Sequence, residues 1–180
     1  MGVLRTDCPM TQELVELRHS LLEGRYDDAL ALVDELEGMG KQAILRNIES
    51  FLVRLLVPLI KNQVEQRLTH SWLISISDSV LQIGKLNLKD NQTSHYIKAD
   101  AWIPYLEEAL EEAILPASLE TLEGKLKPKQ LANRVDRSTL LTSAQRLLQL
   151  TYSTPRRELP AQINDVLATL PGGAEWFDEG

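Results

Sequence analysis

Between residues 41 and 61 the segment KQAILRNIESFLVRLLVPLIK spaces Ile44, Ile48, Phe51, Leu52, Leu55, Leu56 and Leu59 three and four apart. A strand cannot use that period, because its alternate residues face opposite ways. Wound into a helix, the same residues make an apolar face so wide that only a narrow polar stripe is left, through Asn47, Ser50, Arg54 and Lys61. Such a helix must be covered over most of its circumference, which places it at the centre of a fold of helices packed on helices. Pro58 stands four residues after Arg54 on that stripe, where its ring would crowd an outward carbonyl, so a bend around the core is expected there.

Shorter helical patterns surround this one. A first helix is expected from Thr11, a suitable N-cap, to Glu23, with Leu14, Val15, Leu17, Leu21 and Leu22 as its apolar positions, and Gly24 stopping it. A second begins at Asp27 and buries Ala29, Leu30, Val33 and Leu36 until Gly38 and Gly40 break or cap it. A helix from about Ser71 turns Leu73, Ile76, Val80 and Ile83 inward and Ser75, Ser79 and Gln82 outward. Residues 87–100 are polar and include a loop. Trp102 to Ile114 is amphipathic, and Pro116 is expected to end that helix. Lys129–Val135, Ser138–Tyr152 and Pro160–Leu170 complete the series, separated by Pro128 and by Thr154-Pro155. The expected fold is all-α, an irregular bundle of about five to eight helices around the kinked helix 41–61. Residues 1–123 are read as a helical core domain and 124–180 as a helical extension packed on it, ending in an acidic aromatic tail.

At 180 residues and 43% apolar, the chain can build one ordinary core and is too short for two large domains. The most apolar run, Phe51 to Ile60, is interrupted by Arg54 and falls well short of the roughly 20 residues of a membrane-spanning helix, so no membrane partner is expected. With no signal-peptide pattern and a lone cysteine, Cys8, the expected location is cytoplasmic. The net charge of -7 opposes bulk attraction to phosphate polymers. That charge is uneven: residues 125–157 hold eight Lys and Arg against Asp136 alone, between two acidic stretches. Such a segment could attract an anionic partner or dock on the acidic helix of its own chain.

Residues 21–83 resemble a mainly cyanobacterial domain-of-unknown-function family, number twenty-nine. The resemblance rests on Leu21, Leu22, Arg25, Tyr26, Asp27, Asp28, Glu35, Glu37, Gly40, Glu49, Ser50, Leu52, Leu55, Leu56, Lys61, Ser71 and Trp72. It extends to residues Tyr105 to Ala113 of the helix that follows. The family pattern commonly has histidine where Pro58 stands and tryptophan where Asn62 stands, so any ligand role of that histidine is lost here. What the resemblance implies is an all-helical fold; it supplies no substrate, cofactor or catalytic residue.

Weighed by what each reaction requires, the chemical candidates are incomplete. Glu16 and His19 form a Glu-x-x-His pair like those of di-iron bundles, but neither His70 nor His95 has a glutamate three residues before it, so a solvated helix face is the better reading and no metal is assigned. Cys8, between Asp7 and Pro9, lacks a base or an electropositive niche. Gly38-Met39-Gly40-Lys41 lacks the strand and the spacing of a phosphate loop. Glu107, Glu108, Glu111 and Glu112 all lie opposite the leucines of their helix, as a solvated face does. No catalytic residue and no cofactor is therefore assigned, and an enzyme ranks third among the function classes.

Two sets of binding residues remain. His70 and Trp72, with Trp176 and Phe177 of the tail, are candidates for contact with another protein, although Thr69 or Ser71 capping the helix with Trp72 packed in the core accounts for the first pair. The aromatic tail suits a groove on another protein or on its own body. Lys125, Lys127, Lys129, Arg134, Arg137, Arg146, Arg156 and Arg157 are the candidates for anion or nucleic-acid contact, interleaved with Tyr152 as their only aromatic. The leading expectation is a non-enzymatic helical protein-interaction or regulatory module, with a homodimer left open. The alternative is a nucleic-acid-associated regulator of the toxin-antitoxin kind using residues 125–157.

Overall fold

A computed structural model describes residues 9–178 of the chain. Those residues form eight α-helices: α1 (Pro9–Leu22), α2 (Tyr26–Glu65), α3 (His70–Asn87), α4 (Trp102–Glu120), α5 (Pro128–Arg134), α6 (Arg137–Ser153), α7 (Leu159–Ala168) and α8 (Gly173–Asp178). No strand occurs among the described residues; one antiparallel bridge joins Leu88 and His95. The fold is all-α, as the periodicity requires. The chain divides into two compact units, Met1–Leu45 and Arg46–Gly180, with α2 running through both.

The first unit is a helical hairpin. Gly24, at φ +70, turns the chain between α1 and α2, and Arg25 N–H donates to Ser20 O at 2.9 Å. Ser20 and Ala29 are buried beside this turn, and Val33 and Leu36 are half-buried. The expected inward positions of α1 are corrected: Leu14, Val15, Leu21 and Leu22 are exposed, and so is Leu30 of α2. Two helices cannot enclose an apolar stripe that wraps far around each of them, and the surplus stays in water.

The second unit holds the core. The part of α2 after Leu45 buries Ile48, Leu52, Leu55, Leu56, Leu59 and Ile60, each removing apolar surface worth about 1.5–3 kcal/mol. α3 packs on α6 and α7, and α4 packs on α5 and α6. Trp102, Leu106 and Leu110 of α4, Ile76, Val80 and Ile83 of α3, and Leu147, Leu148 and Ile163 of α6 and α7 fill the interior. Caps fix several helix starts: Thr69 Oγ1 accepts from Trp72 N–H, and Asp136 accepts from Thr139 N–H and Oγ1.

Three boundary expectations are corrected. Gly38 and Gly40 do not break the chain, so helix 41–61 is the C-terminal part of the 40-residue α2; neither glycine has a positive φ or a close neighbour. Pro116 lies inside α4, which continues to Glu120. Its ring displaces the bond to the carbonyl of Glu112, an exposed residue where water can take over. α1 starts at Pro9, two residues before Thr11.

The polar stripe of α2 also differs from expectation. Pro58, Lys61 and Asn62 are buried, whereas Asn47, Ser50 and Arg54 are exposed. α2 continues through Pro58, whose missing N–H leaves Arg54 O without its helical donor. Ser75 Oγ supplies a long replacement at 3.4 Å. Ser79, expected outward, is buried and donates to Ser75 O at 2.7 Å.

Candidate functional site

Pro58 and Pro116 meet four residues of the family pattern, Ser50, Lys61, Ser71 and Trp72, in one cleft of about 430 Å³. α2 contributes Ser50, Val53, Arg54, Pro58 and Lys61, the start of α3 contributes Ser71, Trp72 and Ser75, and the end of α4 contributes Pro116 and Glu120. Both in-helix prolines thus line the same opening. A carbonyl released from helical bonding sits beside one of them, which is how the cleft gains polarity on an apolar wall.

Lys61 is the most constrained group in it. Its side chain is 10% exposed, its Nζ donates to Glu120 Oε2 at 2.5 Å, and it lies 4.7 Å from the centre of the Trp72 ring. Glu120 is 56% exposed, so a fixed buried cation is met by an acid that reaches in from solvent. Arg67 is the second cation over Trp72, at 4.9 Å. A buried ammonium needs an anion and good donor geometry to stay charged at tolerable cost.

Below the cleft the chain is stapled by Asn62, which stands where the family pattern commonly has tryptophan. Its Nδ2 donates to Arg67 O at 2.9 Å and Pro171 O at 2.8 Å, tying the α2–α3 connection to the turn before α8. Glu65, on the next turn, accepts Leu122 N–H at 2.7 Å and binds Arg67. Burial pushes the Glu65 carboxyl up, but Leu122 N–H, Arg67 and Lys61 together outweigh it and hold it below the usual range. Leu122 and Glu123 both have positive φ, and Gly124 follows at φ +74, so Glu65 fastens a strained turn at the end of α4.

The expected partner-binding residues are found as follows. Trp72 is buried, capped into α3 through Thr69. His70 is exposed and its ring lies 5.9 Å from that of Trp176, so α8 rests on the start of α3 of its own chain; Phe177 is half-buried. Lys125, Lys127, Lys129, Arg134, Arg137, Arg146, Arg156 and Arg157 are all exposed. They do not gather in one place: Arg137 opens the 17-residue α6 and Arg156 lies beyond its end, which separates them by about 25 Å. Arg137 is paired with Glu111, and that hydrogen bond lowers the Glu111 carboxyl and raises the Arg137 guanidinium. Arg137–Glu111 is therefore an ion pair between the basic segment and the acidic face of α4.

Glu16 and His19 are exposed on α1, and no cluster of three metal-ligating side chains occurs among the described residues. Cys8 lies outside them. A second cleft of about 630 Å³, lined by Leu81, Lys85, Thr151, Arg156 and Leu159, contains no buried polar side chain. Among the described residues no helix is long and apolar enough to cross a membrane.

A profile described as a domain of unknown function, DUF29, matches residues 15–137. The chain belongs to the DUF29 family. No curated protein and no solved structure matches it. The DUF29 match takes in α1 from Val15 on, all of α2, α3, α4 and α5, and every residue of the Lys61 cleft. Of that cleft, Arg54 was legible only as part of a polar stripe and Pro116 only as a helix stop, and Glu120 was not singled out. Lys61 was legible as a residue of that stripe and of the resemblance.

The exposed apolar residues concentrate elsewhere among the described residues. Of twelve large exposed hydrophobic residues, seven lie between Met10 and Leu30, with Leu22 at 77% and Leu30 at 63%. Residues 9–45 carry eight acidic side chains against three basic ones. Inside the hairpin, Glu13 Oε2 and Ser20 Oγ are out of solvent without a hydrogen-bond partner among the described residues.

Proposed function

We propose that this DUF29 protein is a cytoplasmic, non-enzymatic protein-interaction module whose N-terminal hairpin binds an amphipathic helix with basic flanks on another protein. The concentration of exposed Met10, Leu14, Val15, Leu21, Leu22, Tyr26 and Leu30 on 21 residues carries this reading. Scattered exposed leucines need no explanation, but seven large exposed apolar residues within 21 positions of a two-helix unit mark a binding face. The occupant follows from charge: eight acidic against three basic side chains in residues 9–45 favour a partner with Lys and Arg beside its own apolar stripe, and disfavour a second copy of the same acidic hairpin. The nucleic-acid alternative has less support, because its cations are spread to both ends of α6 and two of them, Lys125 and Arg137, are paired with Glu123 and Glu111.

The test compares the wild-type chain with the double variant Leu22→Ser, Leu30→Ser. Both sites are exposed, so the melting temperature is expected to change little. Cross-linking in the native cell is expected to trap a protein through a Lys- or Arg-flanked helix, and the double variant is expected to lose it. Equal trapping by both forms overturns the assignment of the face. Light scattering that shows a dimer dissolved by the same substitutions gives the face to a second copy instead.

A further inference from the structure

We propose that the cleft between α2, α3 and α4 is a binding site for a small carboxylate with a compact apolar body, and that Glu120 occupies the carboxylate position when no ligand is bound. This does not depend on the hairpin, which belongs to the other compact unit. Lys61 carries the argument. An ammonium at 10% exposure, held at 4.7 Å over Trp72, has few partners available and needs an anion. The anion present is on the last residue of α4 and is mostly in water, so the Lys61–Glu120 pair has the modest strength and ready exchange of a surface ion pair on its acidic side.

The rest of the cleft suits what would replace it. Arg54 at the rim is 55% exposed and only loosely tied to Asp78 at 3.5 Å, which leaves a second cation within the same opening. Ser71 is an exposed residue of the lining in the first turn of the 18-residue α3, whose N-terminal end favours negative charge, and its Oγ lies 3.2 Å from Thr69 Oγ1. Val53, Val57, Pro58 and Pro116 give the apolar wall, and about 430 Å³ is the size of a small-ligand site. Exchange of Glu120 for a ligand carboxylate keeps the charge around Lys61 unchanged. A planar ligand carboxylate also reproduces the group that Lys61 already binds in Glu120, which a tetrahedral phosphate does not, so the carboxylate is the assigned class.

The experiment is a titration of the isotope-labelled full-length protein with benzoate, benzyl alcohol and inorganic phosphate, followed by the backbone and indole N–H resonances. Benzoate is expected to shift the Trp72 indole and the Ser71 and Ser75 amides in a saturable way, and benzyl alcohol to leave them in place. Glu120→Gln removes the internal competitor and is expected to tighten benzoate binding about threefold, the scale of one half-exposed ion pair. Lys61→Met is expected to abolish the shifts. Arg54→Gln, an exposed change that leaves the core intact, is expected to weaken them and covers the case in which Lys61→Met unfolds. Resonances unmoved by benzoate, equal shifts with benzyl alcohol or with phosphate, or no tightening in Glu120→Gln each overturn the proposal.

Discussion

Asn87 is fully buried at the end of α3, with both ends of its amide engaged. Its Nδ2 donates to Ile97 O and to the Tyr152 hydroxyl at 2.9 Å each, its Oδ1 accepts Ile97 N–H at 2.7 Å, and the Tyr152 hydroxyl donates to Ile97 O at 2.7 Å. One side chain thus fixes the long connection between α3 and α4 to α6. Asn87→Ala strands Ile97 N–H in the interior, so it should destabilise by about 3 kcal/mol, whereas Tyr152→Phe should cost about 1–2 kcal/mol. Urea unfolding of both variants measures this; equal losses would mean that Asn87 is not the hub. Glu65 gives a pH-dependent counterpart. Its folded-state carboxyl lies below the ordinary range, so its contribution is complete above the unfolded value of about 4.3 and disappears as pH falls through the depressed folded value. Glu65→Gln should therefore be less stable than wild type by about 1.5–3 kcal/mol at pH 7, with the gap closing as the solution is acidified. A gap that stays constant down to pH 3 would remove the charge from the explanation.

At the scale of elements, glycine and proline mattered by environment more than by identity. Gly38 and Gly40 read as a break because glycine permits one, yet a break also needs a turn conformation and a reason to leave the helix, and neither is present. Gly24 does turn the chain at φ +70, so the same residue type was legible at one site and misleading at two. Pro58 and Pro116 were visible as interruptions, but how each is accommodated depends on neighbours remote in sequence, such as Ser75 beside Arg54 O. The wide apolar face of α2 was legible because it is local and periodic; the cleft was not, because Lys61 and Glu120 are 59 residues apart. These glycines make a further contrast. A Cβ at Gly38 or Gly40 meets nothing, so Gly38→Ala and Gly40→Ala should each stabilise α2 by about 0.5–1 kcal/mol. A Cβ at Gly173 would fall against Leu167 O and Ala168, where backbone must move, so Gly173→Ala should release α8. Loss of the Trp176 contact with His70 should then be seen as red-shifted, more easily quenched tryptophan emission, while the two helix variants melt at or above the wild-type temperature.

For the whole molecule, α2 is one helix in hydrogen bonding and two in burial. From Tyr26 to Leu45 only Ala29 is buried, whereas Ile48, Leu52, Leu55, Leu56, Leu59 and Ile60 are six of the twelve largest fully buried side chains among the described residues. Helix propensity cannot make up that difference, since most helical stability in a folded protein comes from packing of an apolar face. Amide hydrogen exchange along α2 should consequently show a step near Leu45, with residues 50–62 protected at least about 100-fold more than residues 28–40. The step tests the hairpin as well as the core: a helical partner that covers Leu22 and Leu30 must slow exchange in residues 28–40 without altering residues 50–62, because the latter are already limited by unfolding of their own unit. Uniform protection along α2 in the free protein would mean that its two parts unfold together, and the exposed leucines would then lie on a unit too stable to need a partner.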